Sequence, residues 1–347
     1  MSADTAVNAA YIALYGVAAA TRAPYAEAED AMTGSRGGSL LLSLAVGLGS
    51  PADAVTQEDA RGREPDFPVA ARILVDGAFQ RCEGIAFNGE GDLYVAGNAA
   101  LWRVDTAGDV TKIADMYSNL GLAPIGERDI LMADFGPTNR FNLGPNADGI
   151  VWRVTPEGDT IRLVNGGIGD PNFVMMLADG SFLVTDDATD EILWVGGDGQ
   201  PRLYTDVVGH PNGIALSNDG STLYVAQIFE SLRPMVTSGK LWTVPLEEGH
   251  VAGLPELLAD LGDQAANDGI ALDEHGRVYV AANGFGQIWR VDPVSGESVL
   301  IAEDMPGAAS IAFGAGAFNP QSIYVTSTRT GKVWEVYVGA RGAALHH

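Results

Sequence analysis

Cysteine is almost absent from this sequence. The 347-residue chain has only Cys82, so it can form neither an intrachain disulfide nor a cysteine-rich metal cluster. Cys82 also has no evident histidine partner, which argues against a role as a nucleophile. We therefore expect a buried thiol at this position, and the redox compartment of the protein stays open.

Basic residues and long hydrophobic runs are scarce as well. Lysine and arginine total 20 against 45 acidic residues, giving a formal net charge of −25 that disfavours binding to nucleic acid or anionic membranes. The apolar run Leu40–Leu48 is too short to span a bilayer. We expect a small-molecule substrate, no nucleic acid and no membrane span, while the oligomeric state stays open.

The N-terminal part of the chain lacks the strand pattern found later. The segment Ala6–Ala20 is rich in alanine, and its apolar residues follow helical spacing. We predict a largely helical extension over residues 1–66. The start at Met1 favours the cytoplasm, whereas a signal peptide opening at Met32 would make the protein secreted or periplasmic.

Turns and short apolar strands are abundant. The 44 glycines and 17 prolines are spread evenly, which is typical of many tight turns. From residue 69 onward a strand–turn–strand unit recurs with period-two apolar alternation, as in Ala266–Asn283. The third strand of each unit carries one of the six tryptophans: Trp102, Trp152, Trp194, Trp242, Trp289 and Trp334.

The spacing of these units gives their number. Glu83 and Asn172 lie much farther apart than the starts of later units, so a further unit containing Asp129–Ala133 lies between them. Repeated antiparallel units of this kind are the signature of a β-propeller. We predict an all-β, six-bladed β-propeller over residues 67–342, closed by strand 71–75 joining the last blade.

Polar residues recur where the inner strands begin. An inner strand lines the central channel, so its first residues face one channel mouth. Oxygen-bearing side chains occupy this position in Glu83, Asn172, Asn212 and Asp268, and Ser310 starts the last blade. Asn-Gly and Asp-Gly pairs also cap ordinary turns, but their recurrence at one repeat position favours a binding site.

These four donors suit a hard metal ion. Two carboxylates and two amide oxygens fit Ca2+ best, with Mg2+ or Mn2+ as alternatives. Zinc is disfavoured because no cysteine or histidine pair accompanies them.

Five segments carry a resemblance to a known family: Cys82–Phe87, Pro171–Asn172, Pro211–Ala215, Asn267–Gly269 and Ser322–Ser327. With them, residues 69–340 resemble the SMP-30/gluconolactonase/LRE family of six-bladed propellers, which includes relatives of the diisopropylfluorophosphatase and paraoxonase type. The resemblance implies a catalytic divalent metal on Glu83, Asn172, Asn212 and Asp268. It also implies that Asp268 activates water as a base.

The chain departs from this family at Asp170. Some sugar lactonases have an arginine there, two residues before the asparagine that matches Asn172, and this arginine holds the sugar. The aspartate argues against a polyhydroxy sugar-acid lactone as the substrate.

Second strands run back to the same channel mouth, so their ends are candidates for a substrate rim: Asn98, Asp186, Gln227 and Asn283. Two long loops follow second strands and add further candidates: Phe135, Arg140 and Phe141 in one loop, and Phe229 and Arg233 in the other. Long loops over a rigid scaffold usually set specificity. Their apolar content suggests a partly hydrophobic substrate.

These features predict a calcium-dependent hydrolase, a lactonase or esterase that acts on a small, partly hydrophobic lactone or ester. Asp268 is the predicted base, and His210 is a further candidate for proton transfer. Two alternatives stay open. One is a cyclase, isomerase or lyase that uses the same site, and the other is a non-catalytic ligand-binding propeller.

Overall fold

The computed structural model of the protein describes residues 64–137 and 147–347, apart from the side chain of Asn165. All of the described residues fall in one compact unit. Residues 1–63 of the predicted helical extension, including the Met32 alternative, lie outside the described residues, as do Arg140 and Phe141. The described part of the chain contains no helix that could cross a membrane.

The described residues form antiparallel sheets arranged as six blades, each with an inner, a second, a third and an outer strand. The blades are numbered 1 to 6 in chain order. Their inner strands are, in that order, β2 (Cys82–Phe87), β6 (Leu122–Ile125), β10 (Pro171–Met176), β14 (Pro211–Leu216), β21 (Asn267–Leu272) and β25 (Ala308–Phe313). The second strands are β3 (Leu93–Gly97), β7 (Asp129–Asp134), β11 (Phe182–Asp186), β15 (Thr222–Gln227), β22 (Val278–Ala282) and β26 (Ser322–Ser327).

The third and outer strands complete each blade. The third strands are β4 (Ala100–Val104), β8 (Ile150–Val154), β12 (Ile192–Val195), β18 (Lys240–Glu247), β23 (Gln287–Val291) and β27 (Val333–Tyr337). The outer strands are β5 (Val110–Asp115), β9 (Thr160–Asn165), β13 (Pro201–Thr205), β20 (Glu256–Asp260), β24 (Ser298–Ala302) and β1 (Arg72–Val75). Blade 4 also carries the hairpin β16 (Phe229–Leu232) and β17 (Met235–Thr237), and β19 (His250–Val251) pairs with the end of β18.

The inner strands form a closed ring. Each contacts the inner strand of the next blade, and β25 contacts β2. The last blade takes its outer strand from the start of the described chain, because β1 pairs antiparallel with β27 in the register Arg72↔Glu335 and Ile73↔Trp334. The six-bladed propeller predicted from the sequence is confirmed.

Blade 2 differs from the sequence-based assignment in one respect. The segment Asp129–Ala133, by which the sequence marks this unit, lies in its second strand, β7, and the inner strand is the short β6. The segment Leu122–Ile125 contains Pro124 and has no polar residue at its start, so its sequence does not resemble the other inner strands.

The tryptophans of the third strands have a structural role. Five of their indole N–H groups donate hydrogen bonds within their own blade, for example from Trp102 to the carbonyl oxygen of Gly97 at 2.8 Å and from Trp194 to Ser181 Oγ at 2.9 Å. Apolar residues of neighbouring blades then pack face to face, as Tyr279 and Ile288 do against Ile311 and Val325. Burial of these faces stabilises the ring.

Neighbouring inner strands approach more closely than a side chain would allow. A Cβ atom at Gly121 would lie 2.6 Å from the carbonyl oxygen of Asn172 in the next blade, and one at Gly213 would lie 2.6 Å from that of Asp268. The N–H of Gly121 donates to the same carbonyl oxygen at 2.8 Å. These contacts set the width of the channel at this level.

We therefore expect Gly121→Ala to lower the free energy of unfolding by about 1–3 kcal/mol, because backbone must move to admit the methyl group. The matched control is Gly197→Ala, where a Cβ would meet no atom within 4 Å. This control should change stability by no more than about 1 kcal/mol. Urea unfolding of both variants measures the difference, and equal stabilities would contradict the close approach.

Candidate metal centre

The strand register identifies equivalent positions in five blades. The first residue of the inner strand pairs with the last residue of the second strand, and the register then shifts before the fourth residue, as in Cys82↔Gly97 followed by Ile85↔Val95. The second residue of the inner strand therefore lies within this irregularity, outside the regular backbone pairing of the two strands. We call the residues at this position the ring residues. In these five blades they are Glu83, Asn172, Asn212, Asp268 and Ala309.

Two positions of this ring are apolar. The last blade contributes Ala309, and Ser310 lies one residue beyond it with its N–H bonded to Thr326 Oγ1 at 3.1 Å. In blade 2 the equivalent residue is Leu120, whose carbonyl oxygen lies against Gly84 as that of Asp268 lies against Gly213. The ring thus has four polar and two apolar members.

The four polar members are all buried, and three of them, Glu83, Asn172 and Asp268, interact with one another. Glu83 retains 6% of its exposure, and Asn172, Asn212 and Asp268 retain 2% or less. The pKa of Glu83 is raised well above its ordinary value by burial and by the charge of Asp268, and a hydrogen bond from Asn172 lowers it in part. The side chain of Glu83 in blade 1 therefore lies close to the side chains of Asn172 in blade 3 and Asp268 in blade 5. Glu83 Oε1 is buried and accepts no hydrogen bond from the described residues.

Asp268 is the second carboxylate of the ring. Its Oδ2 accepts a hydrogen bond of 2.9 Å from Asn283 Nδ2. Burial raises the pKa of Asp268 to about 7, although the hydrogen bonds from Asn283 and from the Gly269 backbone oppose that shift. Near neutral pH this group therefore exchanges readily between carboxylate and carboxylic acid.

A third carboxylate, Asp187, was not singled out by the sequence. It is fully buried, and its Oδ2 accepts a hydrogen bond of 3.0 Å from Asn172 Nδ2. Burial and the charges of Asp170, Asp186, Glu83 and Asp268 raise its pKa well above the ordinary value. The only signal for it in the sequence is the pair of aspartates at the end of β11, Asp186 and Asp187.

The predicted rim residues have different roles. Asn283 is fully buried beside Asp268, whereas Asp186 accepts the backbone N–H groups of Gly169 and Asp170 at 3.1 and 3.2 Å. Gln227 accepts the indole N–H of Trp242 at 2.9 Å and donates to the carbonyl oxygen of Phe229. Asn98 is exposed, with a φ of 52°, and closes a turn through Gln80 and Ala78. Of these four, Asn283 alone bonds a ring residue.

The loop aromatics form an apolar side of the site. Phe135 and Phe229 are almost fully buried in the same cluster as Leu120 and Ile228. Leu232 and Met235, of the β16–β17 hairpin, pack against this cluster. Arg233, in the exposed turn of the hairpin, donates its backbone N–H to Ser231 Oγ at 3.2 Å.

His210 lies directly before β14 in a left-handed backbone conformation, with a φ of 46°. Its Nδ1 is 3.1 Å from the carbonyl oxygen of Asp187, and its ring meets that of Phe229 edge to face at 6.1 Å between centroids. A neutral His210 that donates through Nδ1 keeps Nε2 as a proton acceptor. The histidine thus touches both the acidic and the apolar sides of the site.

The charge balance of the site is negative. No described ion pair includes Glu83, Asp187 or Asp268. Within residues 64–137 and 147–347, no three or more histidine, cysteine, aspartate or glutamate side chains are grouped as a metal site on their own. A cation here would therefore take amide oxygens together with the carboxylates, as Ca2+ commonly does.

Cys82 has no part in this chemistry. Its thiol is buried in contact with the carbonyl oxygens of Ser327 and Lys332, and burial raises its pKa to about 12. A thiol in this state is a weak nucleophile and a poor metal ligand.

Comparison with known proteins places this geometry in context. Residues 185–329 match the family described as the SMP-30/Gluconolactonase/LRE-like region. A search of curated protein sequences finds no match to the chain.

Several solved structures are similar in fold. Regucalcin, a calcium-binding protein from Agrobacterium tumefaciens, is 20% identical, with a TM-score of 0.63 over 81% of this chain and 97% of that one. A gluconolactonase from Xanthomonas campestris is 17% identical, with a TM-score of 0.61 over 80% and 98%. A luciferin-regenerating enzyme is 16% identical, with a TM-score of 0.62 over 81% and 100%. The resemblance of this chain to the SMP-30/gluconolactonase/LRE-like family is thus confirmed, with the matching region in residues 185–329.

Proposed function

We propose that the protein is a calcium-dependent hydrolase, a lactonase or esterase that acts on a small, partly hydrophobic lactone or ester. One observation carries the proposal. Four oxygen-bearing side chains occupy equivalent, buried positions on the inner strands of four blades, and Glu83 Oε1 among them accepts no hydrogen bond from the described residues. A buried acceptor among like charges is costly unless a cation compensates it.

The donor set fits calcium. Glu83 and Asp268 supply two negative charges, and Asn172 and Asn212 supply neutral oxygen donors, which together balance a divalent cation. Magnesium and manganese remain alternatives with the same ligand chemistry. Bound calcium would supply Lewis-acid polarisation of a carbonyl group and would acidify water at the site. The likeness to a calcium-binding regucalcin supports this assignment.

The side chains of this chain would then handle the proton. Asp268 has one oxygen held by Asn283, and its other oxygen would accept a proton from water. His210, whose Nδ1 lies 3.1 Å from the Asp187 carbonyl oxygen, would pass that proton toward solvent. Asp268 is the proposed base and His210 the secondary group.

The surroundings favour a neutral substrate with an apolar substituent. Leu120, Phe135, Ile228 and Phe229 form an apolar wall on one side of the ring, and the β16–β17 hairpin packs against it. On the acidic side, Asp170 and Asp187 would repel an anionic group. A carbonyl at the donor ring with an alkyl or aryl group along the apolar wall matches both sides.

Calcium binding is the first test. We expect isothermal titration with calcium chloride to show binding to the wild-type protein, and Glu83→Gln and Asp268→Asn to abolish or strongly weaken it, because each removes a charged ligand. Asp198→Asn is the matched control, since Asp198 bonds Arg202 in an exposed turn at the far end of its blade. A wild-type protein that binds no calcium and is not stabilised by it would favour the ligand-binding propeller instead.

The pH dependence provides a second test. In the metal-free protein, burial raises the pKa of Asp268 from 3.8 to about 7, so the folded state retains a proton that the unfolded chain has lost. This group therefore makes the metal-free fold less stable as pH rises from about 4 to about 7. Calcium competes with that proton, so stabilisation by calcium should be larger at pH 8 than at pH 5.5. Thermal melts with and without calcium measure it, and an equal or reversed effect would contradict it.

Hydrolysis is the third test. A panel of alkyl γ-lactones, aryl acetates and gluconolactone should be hydrolysed only when calcium is present, with the alkyl and aryl compounds preferred over the sugar lactone. Asp268→Ala should abolish turnover, because both a ligand and the base are lost. Wild-type rates in this variant would eliminate the assignment. Calcium binding without hydrolysis of any panel member would favour the cyclase, isomerase or lyase alternative.

A further inference from the structure

The site has a second layer of residues above the ring. In each blade, one residue directly follows the last residue of the second strand, and in blades 3 and 5 it bonds the ring residue of the same blade. These residues are Asn98, Phe135, Asp187, Ile228, Asn283 and Thr328. All except Asn98 are 1% exposed or less.

The two layers match in chemistry where contacts are formed. Asn172 is bonded by Asp187 at 3.0 Å, and Asp268 is bonded by Asn283 at 2.9 Å. The apolar Leu120 instead shares a cluster with Phe135. Polar ring residues in blades 3 and 5 thus have polar residues above them, and the apolar ring residue in blade 2 has an apolar one.

We propose that Asp187 and Asn283 are positioning residues that fix the orientation of two calcium ligands, the amide of Asn172 and the carboxylate of Asp268. This inference rests on the proposed function, because it assigns the purpose of these contacts to the metal held below them.

Asp187 determines which end of the Asn172 amide remains available. Asp187 Oδ2 accepts a hydrogen bond from Asn172 Nδ2, so this contact commits the amide nitrogen and leaves Oδ1 as the donor for a cation. An amide rotated by half a turn would present its N–H groups to the cation and lose that ligand. A hydrogen bond to the outer end of a ligand is the usual means of preventing such rotation.

Asn283 acts on Asp268 in the same way. Its Nδ2 donates to Asp268 Oδ2 and to Thr328 Oγ1, the latter at 3.1 Å, so one amide group is held between blades 5 and 6. This fork fixes one oxygen of Asp268 and thereby the direction of the other.

The placement of Asp187 is not explained by stability. It is fully buried among carboxylates, and its Oδ1 accepts no hydrogen bond from the described residues. A buried like charge destabilises a fold that lacks a compensating cation. Residues that weaken the scaffold while ordering a site are expected at functional positions.

The test compares calcium affinity with the stability of the metal-free protein. Asp187→Ala and Asn283→Ala should each raise the dissociation constant for calcium by about 10–100-fold, measured by titration with calcium chloride alone. Asp187→Asn should recover part of that loss, because its carbonyl oxygen can still accept from Asn172. The melting temperature of metal-free Asp187→Ala should equal or exceed that of the wild type, and Asp198→Asn should leave the affinity unchanged.

Each other outcome overturns the inference. Wild-type affinity in Asp187→Ala would show that the contact does not orient Asn172. A lower melting temperature of the metal-free variant without a change in affinity would assign Asp187 a structural role. An Asp187→Asn variant as weak as Asp187→Ala would show that charge, and not the accepted hydrogen bond, is required. Absence of calcium binding in the wild type would remove the proposed function itself, a result distinct from variants that bind like the wild type.

Discussion

Repulsion among three buried carboxylates is the constraint on which this site depends. Glu83, Asp187 and Asp268 share one end of the channel, and burial together with their mutual charge raises the pKa of Glu83 and Asp187 well above ordinary values. Flexible side chains on a loop would relieve this repulsion by moving into water. Here the backbone cannot yield, because the inner strands on which these residues lie are locked edge to edge by contacts as close as that of Gly121 to Asn172. The rigidity of the propeller is thus what allows an unfavourable arrangement of charge to persist.

The site is divided by the chemistry of its blades. Leu120 and Phe135 of blade 2 and Ile228 and Phe229 of blade 4 belong to one buried apolar cluster. Blades 3 and 5 contribute the hydrogen-bonded pairs built on Asn172 and Asp268. His210 lies at the boundary, between Asp187 and Phe229.

The sequence predicted those features that repeat. The six-bladed fold and the equivalent positions of four polar side chains followed from one pattern, a polar residue before Gly-Ile-Ala or a similar apolar run. Where the pattern lacks its polar marker, sequence reasoning failed to find the equivalent residue: the ring position is Ala309 in blade 6, beside the predicted Ser310, and Leu120 in blade 2. The strand irregularity at this position spans two residues, so a sequence without a marker cannot say which residue faces the channel.

The rim was less predictable for a related reason. Asp186 and Asp187 are adjacent and chemically identical, and only the pairing of Asp186 with Pro171 shows that Asp187 is the residue turned toward Asn172. Gln227 and Asn98 also lie at the ends of second strands, but their side chains form hydrogen bonds with other groups. Gln227 accepts from the indole of Trp242, and Asn98 accepts from the backbone N–H of Gln80. Competition among local hydrogen-bond partners decides such orientations, and it depends on contacts between segments distant in sequence.

The pairing of β1 with β27 has a consequence for biosynthesis. The seam joins residues 263 positions apart, Arg72 and Glu335, so β1 is made early and has no partner strand until β27 has been made. Glu83 emerges from the ribosome early and Asp268 late, and the ring that holds them together closes after both. A chain that ends before β27 would therefore leave the edge of β1 unpaired and could not close the ring of inner strands, so the channel is assembled only after the last blade has been made.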